Sequence, residues 1–474
     1  MSEDVHRKFL RLLGWEGEEL ENVLPDWLNT VGFLRLSDED VRVAAEEWIP
    51  NYWNISLKGV RMCMAACFKE AMQTAKMREY LERGEKVLFS TMPSSPVCIS
   101  ANKLAGGSAV HISHPYFIAT TVWGAFFNKG AESLFGNSCM DQGCHHCVMN
   151  CIRADSLLQG LIPKPTVTWN WGLQCNEGPK TDEMVFSLEN EEWDNVLTTM
   201  PHDAPIGCSE ADDAERVHYL AEELRASQQE VTRLTGIEVG EAHLKAAIDD
   251  YMSYLRRIER LTDLVMNADP QPLTGNELAL FGICMEAAFD TGLDGLNEAI
   301  DTVIEEVEAL IAEGRGVLPK GAPKLACHFS PLNIPWIDKA FRDNGVNLTL
   351  GRMFPPASFL MRCVDESDGF TTAARMCLSV PNTVNMLDEA KMVAEQLKMY
   401  SVDGALYGFF AFDRWIGALE KTMIRVVEDY TSVPHFYLEG DFWNSGRFSL
   451  EDRISMIRSI CNCLKISGLA GRQV

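Results

Sequence analysis

The sequence predicts an α/β protein: two Rossmann- or flavodoxin-like lobes with a helical leader and a helical insert. Three observations predict it. Short apolar runs of strand type alternate with helix-periodic segments, which calls for parallel sheets joined by crossover helices. This alternation occurs in two separate parts of the chain, with a long charged, helix-periodic stretch between them. No internal repeat and no low-complexity tract interrupts the pattern. The expected divisions are a leader over 1–80, a first α/β lobe over 81–205, a helical region over 206–318 and a second α/β lobe over 319–474.

The elements follow in order. "VRMCMAACFKEAMQTAKMREYLERG" has apolar residues at helical spacing and stops at Gly84, a residue suited to the left-handed C′ position. Cys63 and Cys67 lie on it at i, i+4 and read as core. "KVLFSTM" (86–92), "AVHIS" (109–113) and "TVTWNWGLQC" (166–175) read as strands. The segment from "DDAERVHYL" to "GLNEAIDTVIEEVEALIAEGRG" is amphipathic helix. "KLACHF" (324–329), "VNLTLG" (346–351), "GALYGFFAF" (404–412) and "HFYLEGD" (435–441) restore the strand signal. A closing helix, "SLEDRISMIRSICNCLKISG", has Ser449 as its N-cap. Its Cys461 and Cys463 point to different faces, and both read as core residues. In such folds ligands collect beyond the carboxyl ends of the strands, so the expected site is a cleft between the lobes.

The formal net charge is −26, which disfavours nucleic acid and anionic membranes as partners. Acidic residues stand where a signal peptide needs a basic start, and no run of about 18 apolar residues exists. The expected compartment is the cytoplasm. There, disulfides are rare, and an odd total of 15 cysteines does not suggest a disulfide framework.

The chemistry is concentrated in "CMDQGCHHCVMNC", residues 139–151. Cys139, Cys144, Cys147 and Cys151 have the spacing C-x4-C-x2-C-x3-C, and Cys175 follows Cys147 after 27 residues. Structural zinc prefers two tight ligand pairs separated by a spacer, and no second C-x2-C lies downstream. His145 and His146 offer nitrogens, but adjacent residues rarely ligate one ion. An iron–sulfur cluster needs thiolates around a compact inorganic core and is the favoured reading over zinc and disulfide.

Four segments carry a resemblance to a known family: "YLERGEKVLFSTMPSSPVCISANKLAGG" (80–107), "CVMNCIRADSLLQGLIPKPTVTWNWGLQCNEGPKTDE" (147–183), "CHFSPLNIPWIDKAFRDNGVNLTLGRMFPPASF" (327–359) and the stretch from "VDGALYGFFAFDRWIG" to "LEDRISMIRSI" (402–460). Their order and spacing resemble the catalytic subunits of 2-hydroxyacyl-CoA dehydratases and benzoyl-CoA reductases, including double-cubane members. The resemblance implies a [4Fe–4S] cluster, or a larger double-cubane-type cluster, between two α/β lobes. Cys147 matches the family's first ligand and Cys175 its second. The third belongs in "GFFAFDRWIG", where Phe412 stands instead of a cysteine. Cys144, Cys151 and Cys139 are then the candidates for the remaining positions.

The resemblance also implies low-potential one-electron chemistry on an acyl-CoA thioester, either 2-hydroxyacyl-CoA dehydration or aromatic acyl-CoA reduction. A related second subunit, or a second copy of the chain, and an ATPase activator with its own [4Fe–4S] cluster are the implied partners. The chain itself has no G-x4-G-K-[ST] loop and no G-x-G-x-x-G, so ATP is expected to bind elsewhere. A non-catalytic electron-transfer or scaffold subunit, beside a cluster-bearing sister chain, is the alternative; a zinc-stabilised binding protein is a third. His111 and His114 near a strand end, Lys180 after Cys175, and Arg352 after a strand are candidate substrate contacts; the role of Glu439 and Asp441 in "YLEGD" is structural.

Overall fold

The computed structural model describes all residues except 1–2, 91–94, 131–133, 136–147, 173–176, 190–192, 202–212, 352–363, 366, 380–384, 410–415, 442–448 and 472–474. Six α-helices open the chain, α1 (Glu3–Leu12), α2 (Gly17–Phe33), α3 (Asp38–Val43), α4 (Ile49–Tyr52), α5 (Lys58–Ala75) and α6 (Met77–Glu82), with a π-helical segment, Ala44–Trp48, joining α3 to α4. The first lobe runs β1 (Lys86–Ser90), α7 (Pro96–Gly106), β2 (Val110–Ser113), α8 (Pro115–Phe127), α9 (Val148–Leu158), β3 (Val167–Gly172), α10 (Glu177–Glu189) and β4 (Asp194–Thr199). Then come α11 (Ala214–Thr235), α12 (Glu241–Asn267), α13 (Gly275–Met285) and α14 (Asp294–Ala312). The second lobe contains β5 (Lys324–Cys327), α15 (Pro335–Asp343), β6 (Asn347–Gly351), α16 (Gly369–Leu378), α17 (Met386–Met399), β7 (Gly404–Tyr407), α18 (Ile416–Glu428), β8 (His435–Tyr437) and α19 (Leu450–Gly471).

The two sheets are separate, and every strand pair in them is parallel. Their orders are β2-β1-β3-β4 and β6-β5-β7-β8, the same topology used twice. All strands but one were legible as apolar runs because strands covered on both faces are apolar throughout. The exception is β4, "DNVLTT", an edge strand with only Val196 and Thr198 buried. Asp194, Asn195, Leu197 and Thr199 are exposed, so the strand shows no continuous apolar run.

Predicted endpoints also shift. The long helix before β1 is two helices, broken at Lys76, and Gly84 has the left-handed φ of +80° that its stop position requires. The "GALYGFFAF" strand ends at Tyr407. Gly408 then turns at φ +112°, where a Cβ would fall 2.5 Å from the Leu438 carbonyl oxygen. Ser449 accepts from the Asp452 amide, as its N-cap role requires. The reading of both late cysteines as core needs one correction. Cys461 is buried but Cys463 is exposed, because α19 packs through one face only.

The leader and the helical region interlock. α5 packs along α14 through Gly59, whose absent Cβ would lie 2.5 Å from Val303. The first turn of α5 has no cap of its own. Glu306 of α14 supplies one, accepting from the amides of Lys58 and Gly59 at 2.7 and 2.9 Å. A carboxylate there satisfies orphan amides and complements the helix dipole. One apolar core joins this helical layer to both sheets, from Leu88 and Ile112 of the first to Leu325 and Leu348 of the second. Among the described residues no helix is long and apolar enough to cross a membrane.

Candidate functional site

In each sheet the chain leaves the two central strands in opposite directions: β1 leads to β2 and β3 to β4, and likewise β5 to β6 and β7 to β8. Such a switch point opens a crevice at the carboxyl ends of the central strands. The segment after β3 contains Cys175, three residues beyond Gly172. The segment after β7 contains Phe412, five residues beyond Tyr407. Cys175 and Phe412 therefore follow equivalent strands of two like-ordered sheets. Both positions, with Cys139, Cys144, Cys147 and Arg352, lie outside the described residues.

The described flanks bracket the cysteines. α9 begins at Val148, directly after Cys147, and α10 begins at Glu177, two residues after Cys175. Beyond α9 the chain returns to the amino edge, where Thr166 donates its amide to the Val87 carbonyl. The start of α9 therefore lies at the carboxyl edge. α10 starts there too, because it follows β3 directly. The two helices pack together, and buried Cys151 sits in their contact with Ala154 and Val185. Two adjacent helix N-termini favour negative charge, including thiolates.

Buried polar groups gather at the same edge. His114 follows β2 directly and opens α8; it is fully buried, and neither ring nitrogen has a hydrogen-bond partner. Burial, with the Arg153 guanidinium nearby, pushes it down to about 3, so the ring is uncharged. Ser90, the last residue of β1, is fully buried with an unpartnered hydroxyl. Arg153 of α9 donates to Asn170 Oδ1 of β3 at 3.2 Å, and Asn170 donates on to Asn195 at 2.7 Å. In the second lobe, His328 just past β5 holds Glu420 of α18 at 2.8 Å, with Glu389 of α17 at 3.9 Å from its other nitrogen. The lobes meet along α8. A Cβ at Gly124 would fall 2.7 Å from the Asn333 carbonyl oxygen, beyond β5. Thr121, Ser330 and Asn333, all buried around this seam, keep side-chain polar atoms without partners.

His111 falls elsewhere. His111 is near the amino end of β2, opposite to the cleft edge. Its ring stacks on Tyr80 at 3.5 Å, and its nitrogens meet Glu85 at 2.7 Å and Asp290 at 3.2 Å. Asp290 also holds Lys103, so this histidine belongs to a clamp between β2 and the loop before α14. Beneath it, buried Glu70 accepts from the Asp290 amide and from the amide and hydroxyl of Thr291. Burial, then the Asp290 carboxylate, outweigh these bonds and raise Glu70 to about 8. A raised carboxyl contributes stability below its unfolded value of 4.5 that is lost as pH rises through about 8. Comparing denaturant unfolding at pH 5 and pH 8, Glu70→Gln is expected to gain on the wild type by a few kcal/mol, about 1.4 per pH unit of window.

Lys180 is exposed in the first turn of α10. Glu439 is exposed, while Asp441 is buried beside the Gly408 turn, where the Gly440 amide donates to the Gly408 carbonyl at 2.7 Å. Cys63 and Cys67 are core as expected, facing Cys284 of α13, and burial pushes the Cys327 and Cys377 thiols up. Among the described residues no group of three or more metal-ligating side chains converges. Sequence reading missed His328 and Glu420. The available signal was a histidine at the end of the "KLACHF" strand, on a ligand-facing edge.

A family model, the 2-hydroxyglutaryl-CoA dehydratase D-component, matches residues 183–456, more than half of the chain. The chain belongs to this family. The match spans the second half of α10, β4, the helical region and nearly all of the second lobe. It begins eight residues after Cys175. No curated protein matches the chain.

Proposed function

We propose that this chain is the iron–sulfur subunit of an ATP-dependent, low-potential radical dehydratase or reductase acting on an acyl-CoA thioester. The observation that carries the reading is the family match, joined to a sheet topology that sets Cys175 beyond a switch-point strand. The cluster is of [4Fe–4S] type or a larger double-cubane type, held by Cys147 and Cys175 with further ligands from Cys144, Cys151 and Cys139. What is described at the edge suits an anionic, sulfur-rich group: two helix N-termini, the Arg153 guanidinium and a buried imidazole awaiting an acceptor. When bound, the cluster supplies one-electron reduction. The chain's own contribution is to exclude water, through the seam of α8 against the segment after β5, and to present polar groups from both edges. Lys180 and Arg352 are candidate partners for the phosphates of a coenzyme A thioester.

A related second subunit or a second copy completes the enzyme, and an ATPase with its own [4Fe–4S] cluster delivers electrons. The test is turnover of acyl-CoA by the assembled protein. Turnover is expected only when such an ATPase, ATP and a reductant are all present, and none with ATP alone. A second reading, an electron-carrier subunit, draws on Phe412 at the position of the family's third ligand. Turnover that needs reductant but never ATP would favour it.

A further inference from the structure

We propose that His114 is a hydrogen-bond donor to the cluster, its imidazole giving a ring N–H to a cluster sulfur from the end of β2. This rests on the cluster reading above. His114 is fully buried, yet neither nitrogen has a partner. An unpaired buried polar ring destabilises a fold, and native proteins hold few of them. Violations of this kind concentrate at functional sites.

The position says which partner. His114 opens α8 at the carboxyl edge, and α8 packs against α9, the helix that begins directly after Cys147. The adjacent strand β1 ends at the same edge in Ser90, a second buried group without a partner. Full burial fits a resident group better than a substrate that must enter and leave. Hydrogen bonds to cluster sulfurs favour the more negative, reduced state and so raise the reduction potential.

The experiment compares wild type, His114→Phe and His114→Gln as full chains loaded with cluster under anaerobic conditions. Iron content and the midpoint potential are measured, with the reduced cluster followed by electron paramagnetic resonance. His114→Phe is expected to keep its iron, shift the midpoint to more negative potential and alter the resonance. His114→Gln, which retains an N–H, is expected to lie between it and the wild type. Without cluster, His114→Phe is expected to be at least as heat-stable as wild type, because an unpaired polar group is gone. An unchanged midpoint in both variants with iron retained overturns this proposal alone, as does marked destabilisation of cluster-free His114→Phe, the sign of a bound internal water. Iron lost from both variants makes His114 a ligand and overturns the donor role. A wild type without iron removes both this proposal and the cluster reading.

Discussion

Cys175→Ala is expected to purify with its iron lost or sharply reduced, and with turnover down by more than about 100-fold. Changing a group that merely hydrogen-bonds a metal ligand commonly costs 10- to 100-fold, and removing a ligand exceeds that. Cys147→Ala should behave alike, since the two helices that begin just past these cysteines pack together at one sheet edge. Cys327→Ala and Cys377→Ala are the controls. Both thiols are buried among apolar neighbours, and their loss should lower stability while leaving iron and colour in place. The visible spectrum of the four purified variants decides between the two classes. Equal bleaching in all four would mean that the fold had failed, and that the assignment had gained no support.

Gly275→Ala is expected to destabilise the chain by about 3 kcal/mol or more, at the upper end of overpacking effects. Elsewhere in a helix this exchange stabilises, by roughly 0.4–1 kcal/mol. Here the sign reverses because a Cβ would fall 1.9 Å from the Thr349 carbonyl oxygen, in the middle of β6. Backbone cannot swing aside as a side-chain tip can. The glycine sits just after Thr274, in a capping box with Glu277, whose carboxylate also accepts from the Asn54 amide at 2.9 Å. The contact thus locks leader, helical region and second sheet at one point. Thermal unfolding of Gly275→Ala beside Gly295→Ala, whose added Cβ meets only Ala66 at 4.0 Å, measures the difference.

The doubled architecture was legible because buried parallel strands write themselves as unbroken apolar runs, such as "KVLFS" and "KLAC". Edge strand β4 was not, since four of its six residues face water and only Val196 and Leu197 are apolar. The five cysteines between 139 and 175 stand out in the sequence as candidate ligands, and four of them, Cys139, Cys144, Cys147 and Cys175, lie outside the described residues. Groups whose meaning depends on long-range pairing were hidden. His111 and His114 are three residues apart and look alike in the sequence. Sheet register sends the first to a carboxylate clamp at the amino edge and leaves the second unpartnered at the carboxyl edge. His328 and Glu420 are 92 positions apart, a distance that only the β5–β7 pairing and α18 close.

The central claim is that this family member holds an iron–sulfur cluster although Phe412 replaces the cysteine expected beyond β7. Anaerobic purification followed by iron and acid-labile sulfide assays per chain tests it most directly. About four of each is the expected result for a cubane, and about eight for a double-cubane-type cluster. A colourless protein with neither iron nor sulfide, still folded and still paired with a cluster-bearing sister subunit, would contradict the account.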